Sequence, residues 1–303
     1  MKLDVISGFL GAGKTTFLNK LLPNLGEKVV IIENEYGDVS VDGSLLQDEL
    51  PVKEIMAGCI CCSLVLDFKS AIKELAAKYH PDRIIIEPSG VSCLSDVLKA
   101  CGSVADEVEG GLEIDRLITI VDASGFADYI DGFGIFYGNQ IENANIIFLS
   151  HLANMTGSME DVIKGIKELN PHACIWTEDW LDEDGAVLNE WLLTLAEGKT
   201  LYLPDTDQQR VIFNARDIFG SWSAESGKVW SDDEINGLLQ ALAGGEYGRI
   251  LRAKGILRHQ SGSAVNFNFT PHNSEWHEIC CEDCGKVAVI GCRLNEEKLA
   301  ELF

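Results

Sequence analysis

Two short segments combine residue types and spacings that could do chemistry. In GFLGAGKTT, residues 8–16, Gly8, Gly11 and Gly13 let the backbone turn its N–H groups onto phosphate oxygens without side-chain clashes, and Ala12 and Thr16 complete the cradle. Lys14 can carry its ammonium to the β and γ phosphates, and Thr15 can offer its hydroxyl to Mg²⁺. In GCICC, residues 58–62, three thiols fall within four positions as Cys59, Cys61 and Cys62. Thiolates select Zn²⁺, Co²⁺ or Cu⁺ over Mg²⁺, whereas hard oxygens near the phosphates suit Mg²⁺, so one region could hold two different ions.

Other residues extend these two groups. RIIIEPSG ends an apolar strand in Glu87, which can organise a metal or an attacking water, and Gly90 follows three residues later, where backbone could approach a γ phosphate. LITIVDA ends another strand in Asp122, which reads equally as a site carboxylate or as a helix cap. Near the C-terminus, PHNSEWHEICCEDCGKVAVIGC, residues 271–292, holds His272, His277, Cys280, Cys281, Cys284 and Cys292. Cys281-x-x-Cys284 is half of a zinc-knuckle spacing that His277 with Cys280 or Cys292 could complete; the alternative is thiols packed under a small sheet.

The elements that must position these residues alternate. Strands are expected at Leu3–Ser7, Lys28–Glu33, Arg83–Glu87, Arg116–Asp122, Asn145–Ser150 and Ala173–Thr177, with helical spacing between them, as in Val162, Ile166 and Leu169. That rhythm predicts an α/β fold: a mostly parallel sheet covered by helices on both faces, with ligands at the carboxyl ends of the strands. Residues 1–198 form this expected nucleotide-binding domain, and the polar 199–210 stretch reads as a linker. Residues 211–303 read as a small α+β domain, with strands at Val211–Phe219, Arg249–His259, Ala264–Phe269 and Lys286–Gly291 and helices at Asp232–Ala243 and Asn295–Leu302.

Composition narrows the function classes. Lys plus Arg number 24 against 48 Asp plus Glu, a formal charge of -24 that repels nucleic-acid backbones and anionic membranes alike. No apolar run approaches the roughly 18 residues of a membrane span, and the start shows no signal-peptide pattern, which together predict a cytoplasmic protein. Thiols there stay reduced, so the crowded cysteines point to metal or redox chemistry, and a Cys61–Cys62 disulfide would be strained. A helix containing Val65–Lys78 and opening near Ser63 would place the cluster at a helix N-terminus, where the dipole lowers thiol pKa. The six tryptophans lack regular spacing and read as core or interface residues.

Several ordered motifs together resemble the CobW-type branch of the P-loop GTPases, the metallochaperone family related to the nickel-insertion GTPases of urease and hydrogenase maturation. They are GFLGAGKTT, IIENEYGDVSVDG at 31–43, GCICC, EPSG at 87–90 and LRAKGIL at 251–257. The resemblance implies a protein that binds MgGTP or another purine NTP and carries Zn²⁺ or Co²⁺ on Cys59, Cys61 and Cys62, with the switch-loop carboxylates Glu33 and Asp38. It implies slow hydrolysis, with Lys14, Thr15 and Glu87 in the catalytic site, coupled to delivery to a client metalloprotein or a corrinoid-pathway protein. Assembly as a homo-oligomer is compatible with it. Two other readings stand beside this one: a nucleotide-gated metal or redox sensor with little turnover, and an ATP-dependent accessory factor for cobalamin metabolism. Slow hydrolysis without a partner is expected because the sequence names no in-chain arginine finger; Arg116, at a strand start, reads either as one or as a solvated charge.

One departure from the family pattern has a direct consequence. Where the family reads guanine with Asn-Lys-x-Asp, this chain has SHLA, residues 150–153. Ser150 and His151 would border the base, His151 either stacking on a purine or standing as a polar loop residue, and Ala153 has no carboxylate. Charged hydrogen bonds worth about 1.5–3 kcal/mol each are therefore missing. Competition binding should show less than about tenfold discrimination between GTP and ATP; a hundredfold preference for GTP would contradict this reading.

Overall fold

The computed structural model describes residues 1–35, 52–56, 63–198, 215–280 and 284–303. Two compact units emerge, one holding residues 1–35, 52–55 and 63–198, the other 215–280 and 284–303.

The first unit is an α/β P-loop fold. Its strands are β1 (Lys2–Gly8), β2 (Val29–Glu35), β3 (Val52–Met56), β4 (Arg83–Glu87), β5 (Glu113–Asp122), β6 (Ile146–Ser150) and β7 (Cys174–Trp176), in the order β3-β2-β4-β1-β5-β6-β7. From β2 across to β7 every neighbouring pair is parallel. The near-continuous apolar runs Val29–Ile32, Ile84–Ile86 and Ile146–Leu149 are buried throughout, as strands covered on both faces must be. The helices are α1 (Lys14–Leu21), α2 (Ser63–Tyr79), α3 (Leu94–Gly102), α4 (Phe126–Glu142), α5 (Met159–Leu169) and α6 (Gly185–Gly198). Trp176, Trp180 and Trp191, irregular in sequence, converge in one cluster: Phe17 of α1 packs on Phe148 at 4.6 Å and edge-on to Trp180 at 5.3 Å, while Trp176 meets Trp191 at 5.1 Å. Such aromatic pairs add about 0.5–1.5 kcal/mol each beyond their buried area.

The second unit is α+β. It contains α7 (Ala215–Ile218), β8 (Gly220–Glu225), β9 (Val229–Trp230), α8 (Asp232–Ala243), β10 (Arg249–His259), β11 (Ala264–Thr270), β12 (Asn273–Ile279), β13 (Lys286–Cys292) and α9 (Glu296–Leu302). The sheet runs β12-β11-β10-β13-β8, antiparallel throughout, with β9 parallel to the end of β10. A capping box between Ser231 and Glu234 starts α8, which buries Ile235, Leu238, Leu239 and Leu242 in a core shared with Phe267, Val287 and Val289.

One sequence expectation needs correction. The described part of the expected strand Val211–Phe219 is the short helix α7, and the ladder begins only at Gly220, where Trp222 stacks on Phe303. The segment that carries His277 is strand β12, folded back by reciprocal bonds between Thr270 and Asn273. β3 was missed because five residues of mixed character carry little periodicity.

At the amino ends of the strands sits a buried charge network. Asp4 accepts from Arg83 Nη1 at 2.6 Å and from the Arg116 backbone N–H at 3.2 Å, and the Arg116 guanidinium lies 3.7 Å away. Arg83 also donates to Glu27 and Asp115 at 2.8 and 2.9 Å. Burial pushes the Asp4 carboxyl up to about 6, opposed by the two arginines, so it is ionised at neutral pH. Because this folded value exceeds the ordinary one, the group stabilises the fold most when protonated, and that contribution is lost as pH rises through about 6. Arg83→Met leaves the ionised Asp4 with only the Arg116 backbone N–H and its more distant guanidinium, and should lower unfolding stability by about 3–5 kcal/mol at pH 7. The deficit should shrink at pH 5, where Asp4 takes up a proton, and urea melts showing the same deficit at both pH values would refute the coupling.

Candidate functional site

The phosphate-loop motif occupies the turn between β1 and α1. Gly13 caps α1 with φ 99°, a left-handed conformation that side chains disfavour, and Ala12 N–H closes the turn on the Phe9 carbonyl at 3.2 Å. The Lys14 ammonium, buried, donates to the carbonyls of Gly8 at 3.0 Å and Phe9 at 3.3 Å. Thr15 Oγ1 donates to Glu87 Oε1 at 2.8 Å, which joins the start of α1 to the end of β4. Thr16 is exposed.

Parallel register gathers the acidic residues. Glu33 of β2 is the direct partner of Glu87 of β4, and both are buried. Asp122, at the end of β5, spends one carboxylate oxygen on the N–H groups of Ser124 at 2.9 Å and Gly125 at 3.3 Å and on the Ser124 hydroxyl at 2.6 Å. These bonds close a local turn ahead of α4, whose N-cap is Gly125 and carries no side-chain cap bond. Past β4, Gly90 approaches the phosphate loop so closely that a Cβ there would lie 2.7 Å from Leu10 N and 2.9 Å from the Phe9 carbonyl carbon.

On the other side, Ser150 is buried and turns its hydroxyl to Val121 O at 3.4 Å. His151 follows in a left-handed conformation, φ 55°, and its Nε2 lies 3.0 Å from Gly11 O. With a carbonyl as partner, that nitrogen carries the proton. The imidazole is thus tied to the phosphate loop itself. Trp180, beyond β7, rests its ring 3.5 Å from where a Cβ on Gly13 would stand.

Cys59, Cys61, Cys62 and Asp38 lie outside the described residues, as does Cys281. His277 projects from β12 and is exposed, Cys280 is exposed, and Cys284 is half-buried. Among the described residues no group of three or more His, Cys, Asp or Glu side chains is arranged to hold a metal ion. Cys101 is fully buried and burial pushes its thiol up to about 12, as expected of a small core hydrophobe, whereas Cys93 and Cys174 are half-buried. Arg116 cannot act as an arginine finger at the phosphate loop, because it is buried beside Asp4 at the opposite ends of the strands. A cavity of about 800 Å³ also opens at that far end, among Lys2, Glu27, Lys73 and His80. No described helix is long and apolar enough to cross a membrane.

Sequence reasoning missed α4. Phe9 of the phosphate loop packs on Tyr129, Phe133 and Tyr137 of this helix at 5.0, 5.6 and 5.7 Å. Gln140, with no exposed surface, donates from Nε2 to both Gly90 O and Ser92 O at 3.0 Å. The available signal was the Asn139-Gln140 pair inside the otherwise uncharged, largely apolar stretch 133–141, since buried amides need partners.

Comparison with known proteins places the chain in a family. A family model described as CobW/HypB/UreG, nucleotide-binding domain, matches residues 2–177. The zinc chaperone CobW of a Sinorhizobium species is 37% identical over 132 residues, covering 41% of this chain and 37% of its own. The zinc chaperone YjiA of Escherichia coli K12 is 31% identical over 193 residues, 61% of this chain and 60% of its own. The crystal structure of Zn(II)-bound YjiA GTPase from E. coli aligns over 100% of this chain and 98% of that one, at 21% identity and a TM-score of 0.45. The chain spans between 36% and 60% of the length of the curated relatives it matches. Since the matched family model takes in more than half of the residues and includes the phosphate loop, the strand-end carboxylates and β6, this chain belongs to the CobW/HypB/UreG nucleotide-binding family.

Proposed function

We propose that this protein is a nucleotide-dependent metallochaperone. It binds MgGTP or another purine NTP at the phosphate loop, carries Zn²⁺ or Co²⁺ on Cys59, Cys61 and Cys62 with Glu33 and Asp38, and couples slow hydrolysis to delivery. The observation that carries the nucleotide half is the Thr15–Glu87 contact at 2.8 Å, with Glu33 in register beside Glu87. A hydroxyl and buried carboxylates at the mouth of a phosphate loop form a hard-oxygen set that fits Mg²⁺, and like charges side by side on adjacent strands are relieved by a divalent cation. Mg²⁺, when bound, neutralises charge on the β and γ oxygens.

The chain's own groups would act as follows. Lys14 exchanges its loop carbonyls for phosphate oxygens, Thr15 and Glu87 hold the cation, and Glu87 alternatively orients the attacking water. Hydrolysis is slow because Arg116 is committed to Asp4 and supplies no charge to the transition state. The names of the zinc chaperone relatives support a metal cargo, and the softness of three clustered thiols supports zinc or cobalt. In this reading residues 1–198 bind nucleotide and metal, 199–210 link the domains, and 211–303 recognise a client metalloprotein or corrinoid-pathway protein. A cytoplasmic location and self-association as a homo-oligomer fit the same reading.

The test is titration of apoprotein with Zn²⁺ and Co²⁺ in the presence of GTP, GDP, ATP or no nucleotide. Metal affinity should differ by about tenfold between triphosphate and diphosphate states, a coupling of about 1.4 kcal/mol. Serine in place of all three cysteines should abolish both uptake and the sulfur-to-cobalt charge-transfer band. Uptake that survives the triple substitution removes the cargo site, and equal affinities in all nucleotide states remove the switch. Absence of phosphate release with metal and client present favours a sensor.

A further inference from the structure

Gln140 makes contacts that the metal and phosphate chemistry leaves unexplained. Its side-chain amide nitrogen spans the Gly90 and Ser92 carbonyls, 3.0 Å from each, while its main-chain carbonyl accepts from Thr119 Oγ1 of β5 at 2.9 Å. The neighbouring Asn139 accepts from Ser95 N at 3.2 Å and donates to Ser95 Oγ at 3.1 Å, so the start of α3 is held by the same turn of α4. Gly90 packs backbone against backbone on Phe9 and Leu10, and the Phe9 ring is enclosed by Tyr129, Phe133 and Tyr137. One helix therefore grips both walls of the nucleotide cleft, the phosphate loop through aromatic rings and the loop after β4 through an amide.

The chemistry of that grip is restrictive. Two converging carbonyls need two N–H donors from one neutral atom, which an amide supplies. A carboxylate has no donor when ionised, and a lysine would bury an ammonium among apolar neighbours.

We propose that Gln140 is a positioning residue for nucleotide hydrolysis. By clamping Gly90–Ser92 against the phosphate loop, it sets where the Gly90 backbone stands when the terminal phosphate arrives, and so governs the chemical step rather than nucleotide affinity. This rests on the triphosphatase reading above and adds a regulator of the same site.

The experiment measures GTP hydrolysis and GDP binding on the full chain. Wild type comes first: no phosphate release defeats the triphosphatase reading itself. Given an active wild type, Gln140→Met, which keeps volume and loses both donors, should lower kcat at least tenfold while KM and the GDP Kd stay within twofold. Amide exchange at residues 90–92 should accelerate in the same variant. Thr119→Val removes the bond to the Gln140 main-chain carbonyl but leaves the side-chain clamp, and should lower Tm without changing kcat. Unchanged kcat in Gln140→Met, a parallel loss of GDP affinity, or an equal kcat loss in Thr119→Val would overturn the proposal. Should Gln140→Met fail to fold, Gln140→Asn, whose amide is withdrawn by one methylene, carries the same expectations.

Discussion

Parallel pairing of β1 between β4 and β5 is the constraint from which the site follows. In register, Gly8 stands level with Ile120 and Val5 with Ile86, so the phosphate loop leaves the sheet between two neighbours whose own carboxyl ends are one or two residues away. Glu87 then meets Thr15, although 72 positions separate them in the chain. Because strand ends are spaced by about 4.8 Å in a parallel sheet, residues from three strands converge without any long side chain reaching across.

The two ends of that sheet divide the charges. At the amino ends, arginines and carboxylates neutralise one another around Asp4, and their burial makes the cluster a structural element whose guanidiniums are already committed. At the carboxyl ends the positive groups are the Lys14 ammonium and backbone N–H donors, set against Glu33, Glu87 and Asp122. An anion with a divalent cation suits this balance, since each supplies what the other half lacks. The same division keeps the far cluster's arginines away from the phosphate loop.

α4 integrates the site in a way that strand order does not. Its aromatic face encloses Phe9, its polar turn holds the loop after β4, and Asp122 anchors its beginning. On the opposite flank, His151 places an imidazole on Gly11 O where the family signature would place a lysine. That contact tethers the loop after β6 to the phosphate loop and leaves base recognition without an aspartate at Ala153.

The sequence alone determined the local chemistry: glycines at motif spacing, an adjoining lysine and threonine, buried strands readable as apolar runs, and a capping box before α8. These are short-range properties, decided within a few residues by sterics, periodicity and hydrogen bonding. It also carried the family resemblance through ordered motifs. Tertiary structure alone decided that Arg116 faces Asp4 rather than the nucleotide and that Gln140 clamps Gly90. Each of these depends on partners far away in the chain, and a polar side chain declares its role only when burial forces it to choose among them.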